Sequence, residues 1–142
     1  MNKLLFYVSA RLFGEANLTL CILRKIPNGK TQIYLLPRSK NDPFYPSMFH
    51  ILGVRKLPND TDEAQLKRVI NETTVCIESK DIKYFASTTI KTARGTEFAD
   101  WRYVMVPFYA DEPDFYDIDN LPKNTIAHHQ EFIERSLKGY FA

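Results

Sequence analysis

Residues 53–75, GVRKLPNDTDEAQLKRVINETTV, constrain the fold more than any other stretch of the chain: they read as a glycine turn, a short loop, a capped helix and an exit into a strand. The helix is predicted over 60–73, with Asp60 or Thr61 as its cap. Asp62 and Glu63 fall in the first turn, where the helix dipole favours negative charge. Leu66, Val69, Ile70 and Thr73 recur at helical spacing and mark one buried stripe. Glu63 with Lys67, and Arg68 with Glu72, stand one turn apart as ion-pair partners.

On either side the periodicity changes to that of strands. Leu4, Phe6, Val8, Ala10 and Leu12 alternate over residues 3–12. Leu18–Arg24 is a second strand, and Pro27, Asn28 and Gly29 supply the turn of a hairpin into Thr31–Leu36. Pro37–Ser47 holds three prolines and is irregular. It leads to the short apolar run MFHILG, and a loop of this length in a small domain suits binding. Beyond the helix, Val75–Ile77, Tyr84–Lys91 and Trp101–Tyr109 read as strands. Asp111–Asn120 reads as an acidic loop, and Ile126, Phe132, Ile133 and Leu137 trace an amphipathic helix over 125–140. The order is strands, helix, strands, helix. It predicts an α+β chain, a mixed sheet with two main helices on opposite sides, in a single domain over 1–142. The 44% of hydrophobic residues, with ten Phe and eight Tyr, are enough to fill its core.

Composition removes several classes of function. Lys and Arg number 19 against 17 Asp and Glu, so the net charge of +2 gives no general attraction to nucleic acid or to an anionic membrane. Cys21 and Cys76 lie in apolar runs away from other metal ligands, and read as buried free thiols of a reducing, cytoplasmic compartment. The apolar start Leu4–Ala10 is too short for a signal, and no later run nears the roughly 18 apolar residues of a membrane span. No nucleophile elbow or phosphate-cradling glycine loop occurs.

Taken together, the three strands, the Pro-rich loop, the apolar strand ending in Gly53, the helix and the later strands resemble the Nudix superfamily, hydrolases of nucleoside diphosphates linked to another group. Its signature is GX5EX7REUXEEXGU, with U a bulky aliphatic, and its fold is an α/β/α sandwich. YPSMFHILG is similar to the aromatic, Pro-containing approach to the signature. Gly53 matches the opening glycine, Ala64 a common small residue, Val69 the aliphatic position and Val75 the closing one.

The chain departs from the signature where the signature does chemistry. Leu52 replaces the companion glycine, Asn59 the first glutamate, Lys67 the arginine, Arg68 the next glutamate, Asn71 another and Thr74 the last glycine. Glu72 alone survives, so the resemblance gives Glu72 as the catalytic carboxylate and the metal ligand. On a helical wheel Ala64, Arg68, Asn71 and Glu72 share the face opposite the apolar stripe. The resemblance implies Mg²⁺ or Mn²⁺, yet a guanidinium among the ligands repels such a hard cation, and Glu72 is expected to pair with Arg68 instead. Two readings of Arg68 follow: a solvated surface ion pair, or a phosphate contact that takes over the metal's charge together with Lys67 and Arg55.

The remaining candidates are weaker in pattern. His50 lies in the strand before Gly53, where it either faces a cleft or packs at a boundary. Tyr45, Phe49, Trp101 and Tyr103 either flank a base-binding cleft or belong to the core. His128 and His129 are adjacent, so they diverge and read as surface residues. The acids of 111–119, Glu97 and Asp100 are the sources of any relocated carboxylate. The functional expectation is a hydrolase of a nucleoside diphosphate derivative with a degraded metal site. The alternatives are an inactive Nudix-fold protein that binds a nucleotide or other phosphate-containing small molecule, and an interaction protein whose aromatic surface mediates homodimerisation.

Overall fold

The structure, a computed structural model, describes residues 15–93 and 95–141. The predicted strand over 3–12 lies outside the described residues. The architecture is α+β, and the described chain forms two compact units. One comprises the described part of Met1–Leu20 with Leu52–Val104, the other Cys21–Ile51 with the described part of Met105–Ala142. Strand β1 (Glu15–Lys25) contributes its first half to the one and its second half to the other.

In the first unit β1 pairs antiparallel with β5 (Leu52–Arg55), with Leu18 opposite Val54 and Leu20 opposite Leu52. The two backbones run close at Gly53, where an added Cβ would meet the Leu18 carbonyl oxygen at 3.2 Å. The close approach of the two strands therefore favours a glycine at this position. Helix α1 (Asp62–Ile70) follows, then the long hairpin of β6 (Lys83–Thr92) and β7 (Gly95–Met105). Strand β7 alternates cleanly: Glu97, Ala99 and Trp101 are buried, while Phe98, Asp100 and Arg102 take the other face. It ends before Pro107, which has no N–H to give a ladder.

Val75–Ile77, expected as a strand, is irregular and leads into a 3₁₀ turn at Ser79–Asp81. The Val75 N–H is taken locally by Thr73 Oγ1 at 3.0 Å, and side-chain capture of this kind competes with strand pairing. Cys76 beside it is exposed, unlike Cys21, whose thiol burial pushes far above its ordinary pKa. Neither forms a disulfide.

In the second unit the end of β1 pairs with β2 (Thr31–Tyr34), placing Leu23 opposite Ile33, and β2 pairs in turn with β8 (Phe115–Asp117). The acidic stretch expected as a loop thus contains an edge strand. Its alternation has a physical use: the Phe115 ring packs edge-on against Tyr34, and Asp117 accepts from Gln32 Nε2 at 2.9 Å. A two-strand ladder joins β3 (Leu36–Pro37) to β4 (Phe49–His50), and Phe49 makes a parallel bridge to Thr125. The C-terminal helix is α2 (Ala127–Phe132), a π-helical turn at Ile133–Leu137 and α3 (Lys138–Phe141). The widened turn replaces the regular helix of the expectation, and Ile133 and Leu137, four residues apart, are both fully buried. Among the described residues no helix is long and apolar enough to cross a membrane.

Candidate functional site

Helix α1 begins as its sequence demands. Thr61 is extended, and its Oγ1 accepts from the Ala64 N–H at 3.1 Å, which settles the cap on Thr61. The buried stripe, however, runs through Gln65 and Val69, with Leu66, Ile70 and Thr73 only half-buried. Among the described residues β5 is paired with β1 alone, and Gln65 Nε2 donates to the Val54 carbonyl at 3.1 Å. A backbone acceptor left without a strand neighbour needs a donor, and a glutamine on the helix is long enough to bring one.

The face expected to carry metal ligands holds a clamp. Arg68 Nη2 donates to the Arg55 carbonyl at 2.9 Å and forms an ion pair with Asp60. Asp60 also accepts from the Leu57 N–H at 2.8 Å, and Asn59 beside it is in the left-handed region at φ 65°. The loop of 56–60 is therefore pinned to α1 through one guanidinium. Arg68 finds its carboxylate in Asp60, a residue that the sequence offers only as a cap. Lys67 is exposed and lies 3.3 Å from Glu63, as its spacing predicts. Glu72 is exposed in the turn after the helix. These residues do not fit a divalent cation, because a guanidinium and an amide occupy two ligand positions around a single carboxylate. Among the described residues no three His, Cys, Asp or Glu side chains come together as a metal site.

The same unit contains a cleft of about 350 Å³ on the outer face of β6 and β7. It is lined by Lys56, Asp62 and Gln65 on one side and by Thr89, Phe98 and Asp100 on the other. Asp100 is held in a two-point contact by Arg102, Oδ1 to Nε at 3.1 Å and Oδ2 to Nη2 at 2.9 Å. That contact holds the Arg102 pKa above its ordinary value, against the burial that lowers it and with the help of the Asp62 charge. Of these residues only Asp100 stood among the sequence candidates. The signal for the rest was the alternation of β7, which puts Phe98, Asp100 and Arg102 on one face. Trp101, expected beside a cleft, is instead in the core, with Nε1 donating to Thr88 Oγ1 at 2.7 Å.

In the second unit Tyr45 and His50 each have a structural employment. Asp42 organises the Pro-rich loop: it accepts from the Phe44 and Tyr45 N–H groups at 3.0 and 2.8 Å and from Arg38 Nε at 2.7 Å. Burial pushes the Asp42 carboxyl up, but these donors outweigh it and hold the group below the usual carboxylate range. The Tyr45 ring lies 5.8 Å from that of His128. His50 Nδ1 is 2.7 Å from the Leu36 carbonyl, across the β3–β4 ladder. His129 is not a surface residue: it is 7% exposed, and its Nδ1 accepts from the Ile51 N–H at 3.0 Å. A buried backbone donor decides its position, which adjacency in sequence does not reveal.

A second arginine is buried in this unit. Arg24, 5% exposed, donates Nε to Gln32 Oε1 at 2.9 Å and Nη1 to the Tyr109 carbonyl at 3.1 Å. Its guanidinium carbon lies 3.9 Å from the Phe115 ring centre and 4.8 Å from that of Phe108. Burial lowers the Arg24 pKa, and the Glu112 charge opposes that shift.

No protein-family model matches this chain, and no curated protein does either. Solved structures do. The chain is similar to the NUDIX domain of Shewanella oneidensis NrtR, solved with ADP ribose, at 14% identity and a TM-score of 0.65 over 98% of this chain and 99% of that one. It is similar to the Ap4A hydrolase of C. elegans at 14% identity and a TM-score of 0.64, covering 90% of this chain and 98% of that one. The C-terminal domain of mouse MUTYH, solved with human PCNA, aligns at 8% identity and a TM-score of 0.68 over 89% and 88%. The chain has the Nudix fold.

Proposed function

We propose that this chain is a cytoplasmic Nudix-fold domain that binds a nucleoside diphosphate derivative without metal-dependent hydrolysis. The observation that carries the reading is the Arg68–Asp60 pair: the helix face that would gather carboxylates around a cation gives its central position to a cation already balanced. Arg68 spends Nη2 on the clamp, and its side chain remains a third exposed. The Nη1 edge, with Lys67 and Arg55 on the same element or next to it, suits phosphate oxygens. The ADP ribose in the NrtR complex gives the ligand class to try first.

The competing reading is a hydrolase that works through Glu72 and a carboxylate from elsewhere. One thermal-shift experiment separates the two, because a ligand that binds only the native state raises the melting temperature by mass action. ADP ribose and Ap4A are titrated with and without Mg²⁺, and products are followed in the same samples. Stabilisation that ignores the metal, falls in Lys67→Ala and comes with no turnover is the expected outcome. Metal-dependent turnover that disappears in Glu72→Gln overturns it and assigns the hydrolase. No response to either ligand leaves the exposed aromatic surface and self-association, read by sedimentation, as the function to pursue.

A further inference from the structure

The cleft on the outer face of β6 and β7 is not used by the phosphate reading, and its chemistry differs from that of the α1 cations. Gln65 is only 6% exposed, and its amide nitrogen is committed to the Val54 carbonyl. Its amide oxygen has no hydrogen-bond partner among the described residues. Gln65 lines the cleft, which puts this residue's acceptor at the cleft wall. The Asp62 carboxylate and the Lys56 ammonium have no hydrogen-bond or ion-pair partner among the described residues. Phe98, 46% exposed, presents an apolar ring on the other wall.

The charges decide between ligand classes. Lys56 balances Asp62, and Arg102 balances Asp100, so the lining is neutral and does not attract a polyanion. A neutral polyol would satisfy the Gln65 oxygen but would form no ion pair with either the Lys56 ammonium or the Asp62 carboxylate. A ligand with one cationic donor and one anionic acceptor meets all three groups, and its side chain covers Phe98. A volume of about 350 Å³ holds a molecule of that size with room for water. We infer that the cleft binds a small zwitterion of the α-amino acid class, its ammonium on Asp62 and the Gln65 oxygen, its carboxylate on Lys56. The site is separate from the α1 cations and would report a second ligand to the same unit.

The test uses L-phenylalanine as the probe, with phenylalaninamide, which lacks the carboxylate, and N-acetylphenylalanine, which lacks the ammonium. Amide NMR spectra of the whole chain follow the binding. L-phenylalanine shifts the Gln65 side-chain amide and the Thr89 and Phe98 backbone signals, and each derivative binds about tenfold or more weakly, the loss that removal of a charge-assisted hydrogen bond brings. Lys56→Gln weakens L-phenylalanine but leaves phenylalaninamide unchanged, and Asp62→Asn leaves N-acetylphenylalanine unchanged. Both residues are exposed, so the variants fold, which their melting temperatures check. Equal binding of all three compounds, or silent cleft signals at millimolar probe, overturns the inference. So do cleft signals that move with ADP ribose and ignore L-phenylalanine.

Discussion

Two arginines, Arg24 in the second unit and Arg68 in the first, show two ways of holding a guanidinium out of water. Arg68 is a third exposed along its side chain and has a carboxylate partner with its own hydrogen bond to the backbone. Arg24 is almost wholly buried and has no carboxylate within ion-pair distance among the described residues. Two aromatic rings, an amide oxygen and a carbonyl serve instead. Aromatic faces attract a cation through their quadrupole without bringing a second charge that must itself be desolvated. The lesson is that the clamp on α1 can be lost piecemeal, whereas the packing around Arg24 stands or falls together.

Three variants sharpen that contrast, read by urea denaturation. Arg24→Ala costs the most, about 3 kcal/mol, because it opens a cavity between the Phe108 and Phe115 rings and leaves two acceptors without a donor. Arg24→Met refills the space and recovers more than half of the loss; equal costs for the two would mean that packing is not what Arg24 supplies. Asp60→Ala costs less, about 1–2 kcal/mol, since Arg68 is part-solvated and the loss is spread between it and the Leu57 N–H. Adding Arg68→Met to Asp60→Ala recovers part of that cost, and an unchanged double variant would show that the pair is not coupled. The smallest effect belongs to Glu63 and Lys67, whose double-mutant cycle gives less than about 0.5 kcal/mol, falling further in salt.

The contrast also marks what the sequence could tell. Helix α1, its acidic first turn, the Glu63–Lys67 pair and the β1–β2 hairpin follow from local rules of capping, spacing and turn chemistry, and the order of elements led to the fold. Asp60, Gln65 and His129 could not be placed in the same way. Gln65 and His129 answer backbone groups far off in the chain, the Val54 carbonyl and the Ile51 N–H, and Asp60 answers Arg68 as well as the nearby Leu57 N–H. Such demands arise only once the chain has folded and brought these groups together. Strand β8 was hidden for a similar reason, because its acids masked an alternation that has meaning only beside Tyr34 and Gln32. The cleft was not legible, because the strand expected from Trp101 begins in fact at Gly95 and so takes in Phe98 and Asp100, and because Asp62 and Gln65 close its other wall.

Neither compact unit is a continuous piece of chain. Residues 15–20 wait for Leu52–Val104, and Cys21–Ile51 waits for the segment that begins at Met105. On a ribosome this orders events in time. The first unit has no complete set of partners until β7 has been made, and the second must hold the exposed apolar hairpin of β1 and β2 until Ile133 and Leu137 arrive to cover their share of its core. Contacts so far apart in sequence slow folding, and hydrophobic surface that waits is what chaperones bind. Synthesis rate and chaperone supply then join the strength of the contacts in setting how much of this protein a cell obtains in its native form.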